Sequence, residues 1–492
     1  MRPRTARRHL PRRILAFALA AIATAACGPR DESTAPTIAL AECRLQGVDL
    51  AARCGVHEVW EDREARSGRR IALRVAVVPA RLRAREPDPI VILAGGPGQG
   101  AVSLAAQVMP LFTRLNDTRD VVFLDQRGTG KSHPLDCEDE SQPLQSLFED
   151  ALPERLVSKC LAQLDADPRQ YVTHVAMQDL EEVRVALGYP RLNLWGGSYG
   201  TRAALEYVRR HGDRVRTIVL DGVAPATMKL PLSFATDGDA ALERLIEACD
   251  GEALCRKVYP DLRVMIASLR TQLSRNPART VIVDPRTGER ADIQVNENVL
   301  LSGIFRPLYV AELASLLPLG IAAASSGDFN PLLAQNLELA DDIAENLSIG
   351  MHLSVVCAED VPRITPADLQ AVGQSFFGRT LIDDFLRACA SWPRGKVPAD
   401  FYTPVRSPVA ALILSGGIDP ATPPRHGDEI AAMLPNARHF VAPHLGHGVS
   451  LHGCAPRLIE SFVRAGSAAA LDGKCLQRIP RPLFVMPLGV TR

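Results

Sequence analysis

Short apolar runs that end abruptly in glycine-rich or acidic loops set the pattern of the first half of the chain. Ile90–Leu93 runs into Ala94-Gly95-Gly96-Pro97-Gly98, and Val121–Leu124 into Asp125-Gln126-Arg127-Gly128-Thr129-Gly130-Lys131-Ser132. Leu192–Trp195 leads to Gly196-Gly197-Ser198-Tyr199-Gly200, and Thr217–Leu220 to Asp221-Gly222. Runs apolar at every position suit strands covered on both faces, as in parallel sheets. Helical periodicity lies between them, for example over Asp179–Leu187. After Ser198, Ala204, Leu205 and Val208 form a one-sided apolar face with Gly212 as a stop. Strands alternating with helices predict an α/β fold built on a mostly parallel, doubly wound sheet. In such sheets the functional loops gather at the carboxyl ends of the strands.

The flanks read differently. Val56–Trp60 and Ile71–Val78, joined through Ser67-Gly68, predict an opening hairpin. From 226 to 400 the sheet-type loops vanish. Ala240–Ala248, Leu262–Leu273, Val310–Ala324 and Pro331–Leu347 read as helices, with Thr280–Val283 as a lone strand. This stretch is expected to be an inserted, mainly helical lid, with Asp341, Asp342 and Glu345 on a solvated helix face. The sheet pattern returns at Val409–Leu414, which ends in Ser415-Gly416-Gly417-Ile418-Asp419-Pro420. Arg438–Val441 then leads to Pro443-His444-Leu445-Gly446-His447-Gly448, and a closing helix covers Pro456–Val463. The core is therefore expected in two parts, 42–225 and 401–492.

The N-terminus belongs to none of this. Met1–Arg13 is strongly basic and Ile14–Ala26 is apolar, ending in small residues. That is the form of a secretory signal at 1–26, too short to span a bilayer. Arg12-Arg13 hints at a twin-arginine signal. Thr24-Ala25-Ala26-Cys27-Gly28 resembles a bacterial lipoprotein processing site, with Cys27 lipidated as the new N-terminus and 27–41 as a tether. Ordinary cleavage near Ala26, giving a soluble exported protein, is the alternative. The chain has 11 cysteines. Setting Cys27 aside leaves neighbouring couples: Cys43 with Cys54, Cys137 with Cys160, Cys249 with Cys255, Cys357 with Cys389, and Cys454 with Cys475. Short loops are the cheapest to close, so these couples are expected as disulfides in an oxidising compartment. No cysteine spacing suits zinc, and no metal or cofactor is expected. Zero net charge over 492 residues gives no reason to expect nucleic acid. Gly130-Lys131-Ser132 imitates the end of a P-loop, but position 125 is Asp where that motif needs Gly.

Chemistry enters with Gly196-Gly197-Ser198-Tyr199-Gly200, a G-x-S-x-G turn between strand and helix. A serine hydroxyl is a weak nucleophile until a base takes its proton and a third group orients that base. The chain offers Ser198, Asp419 and His447 in that order, each in a loop after a strand. His444 and His452 are rivals for the base, and Asp221 is the rival acid. Oxyanion donors are expected from the backbone N–H of Tyr199 and of Gly96, with Gly95 beside it.

Together the Gly95-Gly96-Pro97-Gly98 loop, Asp125-Gln126-Arg127-Gly128, the serine turn, Asp419-Pro420-x-Thr422-Pro423 and Gly446-His447-Gly448 resemble the proline iminopeptidase and tripeptidyl aminopeptidase group of α/β-hydrolases. The resemblance runs from about Pro89 to the C-terminus, loosely in the lid. The family pattern usually has His before Gly-Gly-Pro-Gly, where this chain has Ala94. It implies a metal-free serine aminopeptidase that releases residues or short peptides from free N-termini. A carboxylate should then meet the substrate ammonium, and Glu359 and Asp360 after Cys357 are the candidates. An esterase or lipase of the same fold, or a non-catalytic envelope binding protein on this scaffold, are the alternatives. Membrane contact is expected through the lipid alone.

Overall fold

Neighbouring positions along each apolar run go to opposite sides of one sheet, and both sides are covered. Val91, Leu93, Val122, Leu124, Leu194, Ile218, Leu220, Ala411 and Ile413 pack into one core layer. Ile90, Ile92, Val121, Phe123, Trp195, Val219, Leu412 and Leu414 pack into the other. This two-sided burial explains why the runs carry no polar alternation. The computed structural model of the chain describes residues 37–137, 144–148, 152, 154–284 and 288–489, without the side chains of 146–147, 338–345 and 380–381. The expected signal segment, Cys27, most of the tether, and the side chains of Asp341, Asp342 and Glu345 lie outside the described residues.

The strands of the sheet are β1 (Ala41–Cys43), β2 (Ala52–Trp60), β3 (Arg70–Val78), β4 (Ile90–Leu93), β5 (Val121–Leu124), β6 (Leu192–Gly197) and β7 (Val215–Asp221). A separate pair, β8 (Ala278–Val283) and β9 (Arg290–Val295), follows. The sheet closes with β10 (Ala410–Gly416) and β11 (Ala437–Ala442). Its order is β1-β2-β3-β5-β4-β6-β7-β10-β11. The first strands form the expected antiparallel hairpin, and β3 pairs antiparallel with β5. From β5 to β11 every pairing is parallel. Ala41, counted with the tether, already pairs with Cys54.

Register brings the loops together. Leu93 pairs with Gly196, Gly197 with Asp221, and Asp221 with Leu414, so the loops after β4, β6, β7 and β10 leave the sheet side by side. Between β7 and β10 a mainly helical lid builds its own core from residues such as Leu262, Ile266, Leu269, Val299, Ile304, Leu317, Ile321 and Leu332. The expected lone strand is β8, and it has a partner in β9. The expected single helix Val310–Ala324 is two, Ala311–Ala314 and Leu317–Ser325, with Pro318 in the first turn of the second. Proline fits a helix start because its missing N–H would be unpaired there anyway. The five expected cysteine couples are disulfide-bonded.

Candidate active site

β6 ends at Gly197, the helix Tyr199–His211 begins two residues later, and Ser198 makes the whole turn between them. Its backbone sits at φ +54°, ψ −125°, a region that costs a non-glycine residue on the order of 1–3 kcal/mol. The glycines of the motif make room for that turn. A Cβ at Gly196 would lie 2.4 Å from the Gly200 carbonyl oxygen, and one at Gly200 only 2.0 Å from that of Leu93. The Ser198 N–H donates to the Asp221 carbonyl at 2.9 Å. Among the described residues, none hydrogen-bonds to the Ser198 hydroxyl.

The loop after β4 packs against the turn. A Cβ at Gly95 would come within 3.2 Å of the Ser198 Cβ, and Gly96 adopts φ +104°, where glycine is unstrained. Tyr199 is the first residue of its helix, so its N–H has no intrahelical acceptor and lies at the positive end of the helix dipole. Two supports hold the glycine loop. From below, Asp125 accepts the Val102 N–H at 2.8 Å and the Lys131 N–H at 3.0 Å, joining the loops after β4 and β5. Burial pushes the Asp125 pKa up against these hydrogen bonds. From above, the lid segment 348–352 donates the Ser348 N–H to the Gly98 carbonyl at 3.0 Å and His352 Nδ1–H to the Pro97 carbonyl at 3.0 Å. Burial lowers the His352 pKa and keeps the ring neutral. Since a carbonyl only accepts, the Nδ1 tautomer follows.

His447 and Asp419 meet as the sequence expects. His447 Nδ1 lies 2.9 Å from Asp419 Oδ2, and a carboxylate there fixes the proton on Nδ1 and leaves Nε2 as the basic nitrogen. Asp419 is itself held. Its Oδ1 accepts the N–H groups of Ala421 (2.8 Å) and Thr422 (2.9 Å), while Oδ2 accepts the Thr422 hydroxyl at 2.7 Å. Burial opposes its charge, yet attraction to His447 and these hydrogen bonds outweigh burial and hold its pKa below the usual value. For His447, burial disfavours the cation, but Asp419 and, behind it, Asp221 raise the pKa above that of a free imidazole. The lid also grips this loop. The His447 N–H donates to the Tyr309 carbonyl at 2.7 Å, and the Tyr309 ring meets the imidazole edge-on at 5.1 Å.

The rival acid has other work. Asp221 spends its carboxylate on the N–H groups of Val449 (2.8 Å) and Ser450 (2.7 Å), fixing the loop that carries His447. Burial raises its pKa. Among the described residues, neither His444 nor His452 hydrogen-bonds to Asp419 or Asp221. Serine and imidazole flank the same two residues: Ser198 bonds to Asp221, and a Cβ on Gly222 would lie 3.3 Å from His447 Cε1. The serine–imidazole hydrogen bond itself is not formed in this structure. Such contacts commonly tighten only when substrate binds.

Glu359 and Asp360 differ from expectation. The sequence places them at the cleft, but both are fully buried in a turn of π-helix, Val356–Asp360, behind the serine helix. Glu359 accepts the Thr173 N–H at 2.8 Å and its hydroxyl at 2.9 Å, and Asp360 accepts from Arg202 at 3.0 Å and Arg363 at 3.0 Å. The Thr173 hydroxyl also bonds the Tyr199 hydroxyl at 2.7 Å, which links Glu359 to the serine turn. Burial raises the Glu359 pKa to about 7 although Arg202 opposes this. Arg127, read only as part of a motif, is also fully buried and forks onto Asp179 at 2.6 and 2.8 Å. Among the described residues, no group of three or more His, Cys, Asp or Glu is arranged to hold a metal ion.

A family model described as "alpha/beta hydrolase fold" matches residues 88–254, and one described as "TAP-like protein" matches 374–475. The chain is 24% identical over 472 residues to the serine protease Hip1 of Mycobacterium tuberculosis, covering 86% of this chain and 87% of that one. It is 30% identical over 139 residues to a proline iminopeptidase of Neisseria gonorrhoeae, covering 28% of this chain and 34% of that one. Against a tripeptidyl aminopeptidase of Streptomyces lividans it is 28% identical over 210 residues, 39% of each. The last two matches thus span well under half of those relatives' own length. With its mostly parallel sheet and its loop order, the chain is an enzyme of the α/β-hydrolase fold, similar to the proline iminopeptidase and tripeptidyl aminopeptidase group of serine peptidases.

Proposed function

We propose that the chain is a serine aminopeptidase acting through an acyl-enzyme on Ser198. His447 Nε2 takes the Ser198 proton as Oγ attacks the carbonyl of the scissile peptide bond. The Gly96 and Tyr199 N–H groups hold the resulting oxyanion. His447 then passes the proton to the leaving amine, the C–N bond breaks, and water attacks the acyl-enzyme by the same route in reverse. Asp419 keeps the imidazole in its useful tautomer. The observation that carries this reading is the Asp419–His447 pair beside a strained serine turn and a glycine loop. Peptidase names among the relatives favour peptides over esters.

The substrate's free amine is the point to test. An aminoacyl 4-nitroanilide should lose about 5- to 150-fold in kcat/KM on N-acetylation, since an unpaired polar group left in a site costs about 1–3 kcal/mol. An esterase would be indifferent to acetylation, and that indifference would reject the aminopeptidase.

Export and lipid anchoring at Cys27 complete the proposal. They are supported by the basic-then-apolar N-terminus and by five disulfides, which suit an oxidising compartment. Intact-mass analysis should find mature chains beginning at lipidated Cys27; chains retaining residues 1–26 would reject export.

A further inference from the structure

The loop that carries the Gly96 N–H has no polar side chain of its own, since it reads Ala94-Gly95-Gly96-Pro97-Gly98. Glycine leaves a backbone conformationally loose, so whatever aims that N–H has to act on the loop's carbonyls or pack against it. Three carbonyls around Gly96 are held. Gly95 accepts the Gln99 N–H at 3.3 Å, from within the loop. Pro97 accepts His352 Nδ1–H at 3.0 Å and Gly98 accepts the Ser348 N–H at 3.0 Å, both from the lid. Leu347 closes over the same place: a Cβ at Gly96 would lie 2.9 Å from its Cδ1, and one at Gly98 would lie 3.0 Å from it. Of these three hydrogen bonds, only that of His352 comes from a side chain, and its ring is itself held. His352 lies on the helix Ile349–Val355, fastened to the loop after β5 where the Gly350 N–H donates to the Leu135 carbonyl at 2.9 Å. Phe385 meets the imidazole edge-on, with ring centroids 5.5 Å apart.

We propose that His352 is a positioning residue for the oxyanion site: through the Pro97 carbonyl it holds the glycine loop in the conformation that aims the Gly96 N–H at the reacting carbonyl. It touches no substrate and moves no proton. The proposal rests on the reading of Ser198 as the nucleophile and deepens it, because the lid then builds part of the catalytic framework instead of merely covering it. The consequence is selective. Substrate binds to the whole cleft, whereas the oxyanion exists only once Ser198 has attacked. Loss of aim therefore falls on kcat and spares KM. Its size is bounded from above, since outright loss of an oxyanion donor costs about 10²–10³ in kcat. Releasing one hydrogen bond that aims such a donor should cost about 10- to 100-fold.

The test compares two substitutions of nearly equal shape in the full chain. Asparagine can donate an N–H from the place of Nδ1, and leucine cannot. His352→Leu should lower kcat for an aminoacyl 4-nitroanilide by about 10- to 100-fold with KM nearly unchanged. It should slow fluorophosphonate labelling of Ser198 by a similar factor, because the phosphoryl oxygen of that probe takes the place of the oxyanion. His352→Asn should recover most of both rates. Counting rates per labelled serine keeps partial unfolding from imitating the loss. Leu347→Ala, at a half-buried position, loosens the same loop from its other contact and should show the same split between kcat and KM. It decides the matter if His352→Leu does not fold, and an unchanged kcat there overturns the proposal. A loss that appears in KM instead of kcat, or Leu and Asn variants with equal rates, also overturns it. Labelling of the wild-type chain separates the two ways of failing. Ser198 that labels at a rate untouched by these variants sinks the role of His352 alone, and Ser198 that never labels sinks the underlying reading.

Discussion

Ser198→Ala should lose turnover by on the order of 10⁶-fold, the scale seen when a serine nucleophile is removed from such a triad, while its melting temperature stays within about 2 °C of wild type. The two halves of this expectation have separate causes. The hydroxyl has no hydrogen-bond partner among the described residues, so the fold loses nothing when it goes. The turn is held instead by the Ser198 N–H to the Asp221 carbonyl and by the close approach of Gly196 to Gly200 and of Gly200 to Leu93, all of which alanine keeps. Chemistry, by contrast, has no other nucleophile at that point of the rim. Steady-state rates with an aminoacyl 4-nitroanilide, paired with a thermal melt, read both. An alanine variant with wild-type rates would remove the serine from the mechanism; one that is unfolded would show the hydroxyl to be structural.

Asp419→Asn should cut kcat by on the order of 10⁴-fold, as loss of the orienting acid does in other triads. The surroundings dictate how. Oδ1 accepts two backbone N–H groups, from Ala421 and Thr422, so an asparagine must keep its carbonyl there and turn its NH₂ toward His447. An NH₂ facing Nδ1 requires that nitrogen to accept, which moves the ring proton to Nε2, where it blocks removal of the serine proton. The pH dependence supplies a second reading. The base must be neutral, so in the wild type activity rises with pH through a His447 pKa held above the usual imidazole value by Asp419 and Asp221. Removing the Asp419 charge should move that acid limb to lower pH even as the plateau falls. A pH–rate profile checks it. A limb that stays in place, or moves up, would mean that Asp419 does not face the working imidazole.

Much of this site was legible because its parts sit in loops that follow unbroken apolar runs, and such runs are hard to mistake when both faces of a sheet are covered. Ser198, Asp419 and His447 could be read from their order and from the glycines around them. The disulfide couples followed from their short separations. Other features left weaker traces. The helix Glu297–Phe305 was missed because Val299 to Phe305 is buried throughout, and a helix apolar on every side has no one-sided pattern. β9 did carry a signal, since Arg290–Val295 alternates polar with apolar, matching its alternating burial. The burial of Glu359 and Asp360 was not legible, because their partners Thr173, Arg202 and Arg363 are brought there only by the fold. Sequence spacing likewise gave no hint that Asp221, the rival acid, fastens the His447 loop to β7.

The account stands on a hydroxyl made nucleophilic by its position, and covalent capture reads that directly. Folded wild-type chain treated with a fluorophosphonate, digested and sequenced by mass spectrometry should carry one adduct, on Ser198, formed faster as pH rises through the His447 limb and absent from Ser198→Ala. An unmodified Ser198 in folded protein, or an adduct that persists in the alanine variant, would contradict it.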